Sequence, residues 1–179
     1  MSDCSEKLLS ILETHGSRLH ALLTRLTLRE EVAEDLMQEL FLKLSRSSAF
    51  QKADDPSAYA FRSAIHMAFD WRKKQAKHLR TESIASEPAA DFVSPLNEII
   101  QSEEIEEVLH SLGQLSKRSR DIVVMRYLQQ EPYERIAESF GKTPQQVRGV
   151  CHKAVTRLRT ILNDKPGSQR KRGIHSEEA

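Results

Sequence analysis

The sequence predicts an all-α protein: two small helical domains joined by a flexible linker, the second domain a helix-turn-helix. Three observations carry this. Apolar residues recur at three- and four-residue spacing along most of the chain. Gly and Pro number six each in 179 residues, too few for an all-β chain rich in turns. The stretch 81–97, TESIASEPAADFVSPLN, has no cation and little periodicity, and so marks a domain boundary. The predicted division is a first domain over 1–80, an acidic linker over 81–97, a second domain over 98–163 and a disordered tail over 164–179. Domains of this size bury a modest fraction of their surface, so a partner is expected to contribute to stability.

The formal net charge of +1 conceals segregation. Between Arg62 and Arg80 stand Arg62, Arg72, Lys73, Lys74, Lys77 and Arg80 against Asp70. Residues 81–115 hold no Lys or Arg but many carboxylates, and cations dominate again from Ser116 to Leu162. A basic, acidic, basic order suggests two separate contacts with a polyanion.

Taken in order, Leu8, Leu12, His15, Leu19, Leu22, Leu23 and Leu26 give a first amphipathic helix. His15 on that face reads as a satisfied, half-buried residue, since no second metal ligand lies near it in sequence. The next helix runs from about Arg29 to Ser45, with Val32, Leu36, Leu40 and Leu44 as its apolar stripe and Ala33, Met37 and Phe41 widening it. Its other side carries Asp35, Gln38, Glu39 and Leu42. On periodicity alone that side suits a docked basic helix and plain solvation equally.

Residues 47–55 read as a loop. Asp55-Pro56 then supplies a cap and a first-turn proline for a helix reaching about Arg80. Ala60, Phe61, Ala64, Ile65 and Ala68 face inward, and Phe69 reads as core. Trp71, followed by Arg72, Lys73 and Lys74, suits stacking on an unpaired base as well as it suits packing at the rim.

Ser94-Pro95 starts a fourth helix with Ile99, Ile100, Val108, Leu109 and Leu112 inside, ended by Gly113. Ser116 caps the next, where Ile122, Val123, Met125, Tyr127 and Leu128 supply core. The stretch from Pro132 to Leu162 reads as a short helix, a tight turn and a longer helix. Gly141 suits a left-handed C-terminal stop, Thr143 a cap and Pro144 a first helical position. Val147, Cys151, Ala154, Leu158 and Ile161 face inward, and Gln145, Arg148, His152 and Arg159 outward. Stop, cap, proline and outer face agree on a DNA-reading helix-turn-helix rather than a plain helical hairpin.

Cys4 and Cys151 form no CxxC pattern, so neither a zinc site nor a disulfide framework is expected. MSDCSEKLL is not a secretory leader, and no apolar run approaches a membrane span. A cytosolic protein is expected. Cys151 and His152 are adjacent on a helix and point about 100° apart, so they make no nucleophile–base pair, and no enzyme is expected.

With both halves in view, the sequence resembles a bacterial sigma factor of the extracytoplasmic-function group, the shortest members of the sigma-seventy family. Residues 33–44, AEDLMQELFLKL, resemble the family's AEDLxQExFLxL helix, which grips the clamp helices of the largest RNA polymerase subunit. That resemblance implies polymerase contacts at Asp35, Gln38, Glu39 and Leu42. Residues 68–74, AFDWRKK, are similar to the family's AxDxxRR segment near the melted minus-ten element. It implies minus-ten contacts at His66, Asp70, Trp71, Arg72, Lys73 and Lys74. Residues 133–154 resemble the fourth-region helix-turn-helix that reads the minus-thirty-five element. That implies DNA contacts at Gln145, Gln146, Arg148, Gly149, His152, Lys153 and Arg157. Arg and Gln suit base edges, whereas Lys153, Arg157 and Arg118 suit phosphates.

The departures carry meaning. Ile65-His66 stand where the family often has Arg-Asn, and Leu115-Ser116 where it has Leu-Pro. Gly149-Val150 and Val155 replace a Ser-Arg pair and a later Arg in the reading helix, thinning its basic face. The implied partners are core RNA polymerase and promoter DNA, with room for an anti-sigma factor; no cofactor, metal or membrane is implied. The rival readings are a dimeric helix-turn-helix regulator and a sigma-like decoy or adaptor.

Overall fold

A computed structural model describes residues 2–82 and 96–164. The predicted linker between 83 and 95, and the predicted tail from 165 onward, lie outside the described residues. Those described form eight α-helices and no strand: α1 (Ser2–Thr27), α2 (Glu30–Ser45), α3 (Ser48–Gln51), α4 (Pro56–Glu82), α5 (Leu96–Gly113), α6 (Lys117–Tyr127), α7 (Tyr133–Phe140) and α8 (Pro144–Asn163).

The first half is built on α1, α2 and α4. Leu19, Leu22, Leu23 and Leu26 of α1 meet Leu36, Leu40 and Leu44 of α2 and Phe61, Ala64, Ile65 and Ala68 of α4, all buried. Each fully buried leucine contributes about 1.5–3 kcal/mol relative to exposure. One turn of α1 differs from expectation: Ile11 is buried while Leu12 is exposed. The stripe drifts there because 3.6 residues per turn do not repeat evenly on whole residues. His15 is half-buried as expected and meets the Phe61 ring edge-on at 5.8 Å. Its Nδ1, however, has no hydrogen-bond partner. The expected loop at 47–55 contains α3, capped by the Ser47 hydroxyl and anchored by fully buried Phe50.

Asp55 caps α4 as the sequence suggests. Its Oδ1 accepts from the Ala58 N–H at 2.9 Å and the Ser57 hydroxyl at 2.6 Å. Partial burial pushes this carboxyl up, but those hydrogen bonds and the nearby Arg135 charge outweigh burial and hold it below its ordinary value. A folded value below the unfolded one means the stabilisation is complete above the unfolded value, near 3.9, and is lost as pH falls through the folded one. Asp55→Ala should therefore cost about 1 kcal/mol at neutral pH. In denaturant unfolding the gap to wild type should narrow as the pH is lowered through the acid range.

The second half packs α6, α7 and α8 with the end of α5. Ser116 accepts from the Ser119 N–H and caps α6. Ile122, Val123, Val124 and Met125 are all buried, and with them Arg120 and Asp121, two charged residues that periodicity did not place inside. Tyr127, expected in the core, is 57% exposed, and Val108 is exposed too. Helical spacing alone did not separate them, since Val108 lies one turn from buried Leu112 and Tyr127 one turn from buried Val124. The side chains of Ile99 and Ile100 lie outside those described.

The two halves pack against each other. The Arg120 guanidinium sits 4.4 Å from the centre of the Phe69 ring. Arg62 donates to the Ser139 carbonyl at 2.8 Å and lies over the Phe140 ring. His66 Nε2 meets Asp121 Oδ2 at 2.8 Å, Arg18 meets Glu131 at 2.8 Å, and Arg72 pairs with Glu106. Burial lowers the Arg120 guanidinium from its usual value, with Asp121 and Asp70 opposing the shift.

Candidate polymerase and nucleic-acid interfaces

Burial of Ala33, Leu36, Leu40 and Leu44 fixes the rotation of α2. Asp35, Gln38, Glu39 and Leu42 consequently all face solvent. They recur at i, i+3, i+4 and i+7, so they form one strip along the helix. Leu42 is 57% exposed within this acidic and amide strip, and none of the four side chains has a polar partner among the described residues. An exposed leucine ringed by acceptors is suited to meet a helix that offers both apolar and cationic side chains.

The basic end of α4 divides in two. Asp70, Lys73 and Lys74 are exposed. The other predicted contacts are engaged within the chain. Trp71 packs against the core while remaining partly accessible. Arg72 donates to the Leu26 carbonyl at 3.2 Å as well as pairing with Glu106. His66 is held by Asp121. The structure therefore brings His66 and Arg72 to the seam between the halves, packs Trp71 against the core and leaves Asp70, Lys73 and Lys74 exposed.

The helix-turn-helix forms as its sequence requires. Gly141 adopts φ 58°, the left-handed stop. Thr143 and Gln146 make a reciprocal capping box, with Pro144 in the first turn. Burial of Val147, Cys151, Ala154 and Leu158 turns Gln145, Gln146, Arg148, Gly149, His152, Lys153 and Arg157 outward, and all are exposed. Gln146 has a second role here, because its Oε1 accepts from the Thr143 N–H at 3.1 Å. A Cβ on Gly149 would meet no atom within 4 Å, so no contact within the chain demands glycine there.

Sequence reasoning missed Tyr133. Its ring lies 4.8 Å from the Arg126 guanidinium and 5.2 Å from that of Arg148. This stacking limits the positions open to Arg148 before any ligand arrives. Burial raises the Tyr133 hydroxyl above its ordinary value, with Cys151 adding to the shift. Among the described residues, His20, Glu30 and Glu34 form one group with metal-ligating reach, their ligand atoms within 4.8 Å of one another. Glu30 also complements the positive end of α2. No helix of the described chain is long and apolar enough to cross a membrane.

Comparison with known proteins finds two family regions in the chain. The family model described as Sigma-70 region 2 matches residues 11–78, and that described as Sigma-70, region 4 matches residues 111–160. The RNA polymerase sigma factor YlaC of Bacillus subtilis is 25% identical over 140 residues, spanning 76% of this chain and 81% of that protein. The ECF RNA polymerase sigma factor SigX of the same organism is 22% identical over 153 residues, spanning 82% of this chain and 79% of that protein. Among solved structures, the sigma factor RpoE of Bartonella quintana, in complex with the anti-sigma factor NepR, is 19% identical. The match covers 92% of this chain and 99% of that one, with a TM-score of 0.49. Two family regions in the expected order, each on the helices that carry its motif, place this chain in the sigma-seventy family of RNA polymerase sigma factors.

Proposed function

We propose a division of labour for this sigma factor in which each of its three exposed surfaces has one task. The α2 strip of Asp35, Gln38, Glu39 and Leu42 docks on core RNA polymerase. The basic end of α4, with Asp70, Lys73 and Lys74 outermost and His66, Trp71 and Arg72 behind them, holds the opened minus-ten segment. The outer face of α8 reads the minus-thirty-five element. Gln145, Arg148, Gly149 and His152 meet base edges there, Gln146 closes the cap beside them, and Lys153 and Arg157 meet phosphates.

The observation that carries this reading is the outward rotation of α8. One buried stripe sets it, and it presents every predicted base-reading side chain to solvent. The packed arrangement also leaves the α2 strip free while His66 and Arg72 are engaged across the seam. On this reading polymerase docks first, and separation of the halves then releases the minus-ten residues. A protein that covered Leu42 would compete with polymerase and so act as an anti-sigma factor. The reading places the chain in the cytoplasm, with neither catalytic residue nor cofactor of its own.

The test is run-off transcription from genomic fragments by core polymerase supplemented with the purified chain. Failure to bind core would end this reading. Arg148→Ala should lose about 1–3 kcal/mol of discrimination between promoter and altered minus-thirty-five sequences. An equal loss on all sequences would reassign Arg148 to a phosphate.

A further inference from the structure

Helix α8 carries four long cations, Arg148, Lys153, Arg157 and Arg159, all exposed. No ion pair holds any of them among the described residues. Arg148 alone of the four lies over an aromatic ring, its guanidinium carbon 5.2 Å from the centre of Tyr133. Tyr133 is itself held from several sides. Pro132 fixes φ at −68° just before α7 begins. The ring packs against the buried core, and its hydroxyl lies beside the buried Cys151 thiol of α8. Arg126 of α6 meets the ring at 4.8 Å and is anchored in turn by donating to the Glu131 carbonyl at 3.1 Å. Side chains of α6, α7 and α8 thus converge on one ring, and that ring meets Arg148 from outside its own helix.

Stacking and base reading are compatible because they use different parts of a guanidinium. A ring engages its face. The N–H groups point outward in its plane, where a guanine edge offers two acceptors. An arginine on an unrestrained stem that meets the wrong base can swing to a neighbouring phosphate and recover part of its binding energy. An arginine held over a ring recovers less, so the wrong base is penalised more. Holding the side chain also reduces the entropy lost when the right base is met.

We propose that Tyr133 is a positioning residue that sets specificity at the minus-thirty-five element by holding Arg148 for one base pair. Lys153 and Arg157, which no ring restrains, contribute affinity without sequence information. The inference rests on the reading above of Arg148 as a base contact. Its signature is local: loss of the ring relaxes the choice of base at the position that Arg148 reads and at no other.

The test uses holoenzyme reconstituted from core RNA polymerase and the full chain. It selects duplexes from a pool randomised across the minus-thirty-five element, and sequencing reads the base preference at each position. Arg148→Ala marks its own base pair as the position whose preference it flattens. Tyr133→Leu keeps apolar volume but removes the π face. It should lower the preference at that same position roughly three- to fivefold, leave the other positions unchanged and leave binding to altered sequences undiminished. Tyr133→Phe keeps the ring and should stay within about 1.5-fold of wild type. In the Arg148→Ala background, Tyr133→Leu should change nothing further. Thermal unfolding should show each variant folded at the assay temperature. A preference that Arg148→Ala flattens and Tyr133→Leu leaves intact would overturn the proposal and leave the base contact standing. If Arg148→Ala flattens no position, both fall together. Equal losses at every position in Tyr133→Leu would reduce Tyr133 to a packing residue, and the same local loss in Tyr133→Phe would assign the effect to the hydroxyl instead of the ring.

Discussion

Replacing Asp35 and Leu42 together by alanine should weaken binding to core RNA polymerase by about 3 kcal/mol, roughly a hundredfold in Kd. Leu42 is 57% exposed in the free chain, so its burial on docking is a gain that truncation removes. Asp35 has no partner within the chain among the described residues, so its loss leaves no buried group unsatisfied and the effect on folding should be small. Competition binding with labelled core would measure the change. Duplex binding through α8 serves as the internal control and should be unaltered. A Kd within threefold of wild type would show that polymerase docks elsewhere.

Ile136→Ala should have the largest effect on stability. Ile136 is 0% exposed within the α6–α7–α8 core. Truncation there removes transfer free energy and leaves a cavity that the rigid helix pair closes only in part. The expected cost is about 3 kcal/mol, or about 10 °C in Tm for a chain of this length. That is a large share of a typical total of about 5–15 kcal/mol. Thermal unfolding would show it, and binding at the minus-thirty-five element should fail at a correspondingly lower temperature. A loss below about 1 kcal/mol would mean that α7 does not pack as described. The two variants separate cleanly, one acting on a surface and the other on the interior that orients a surface.

Local signals were legible where their physics is local. Gly141 announced its positive φ, and Thr143 and Pro144 announced the start of α8, because stops and caps involve residues three or four apart. Asp55 and Ser116 were readable as caps for the same reason. Positive φ at Leu28 and Gln130 was not readable, since neither residue favours it and the surrounding fold imposes it. Tyr127 read as core because it follows a run of apolar residues. In the structure Ile122, Val123, Val124 and Met125 fill the interior, and Tyr127, the last residue of α6, is exposed.

The candidate site divides the same way. The α2 strip and the α8 reading face follow from the apolar stripes opposite them, so periodicity placed Asp35, Leu42, Gln145 and Arg148 on outward faces without a structure. The seam does not follow from any stripe. Arg120 and Asp121 looked like ordinary surface charges and are buried. His66 and Asp121 are 55 residues apart, and Arg72 and Glu106 are 34 apart.

By itself, then, the sequence determined the helices, their caps, the outward faces and the family. Tertiary structure alone decided which outward-looking charges are spoken for. The physical reason is one of range. Helix periodicity reports the direction of a buried face over a few residues. The pairing of one helix's charges with another's depends on how two complete surfaces fit, which no short stretch encodes.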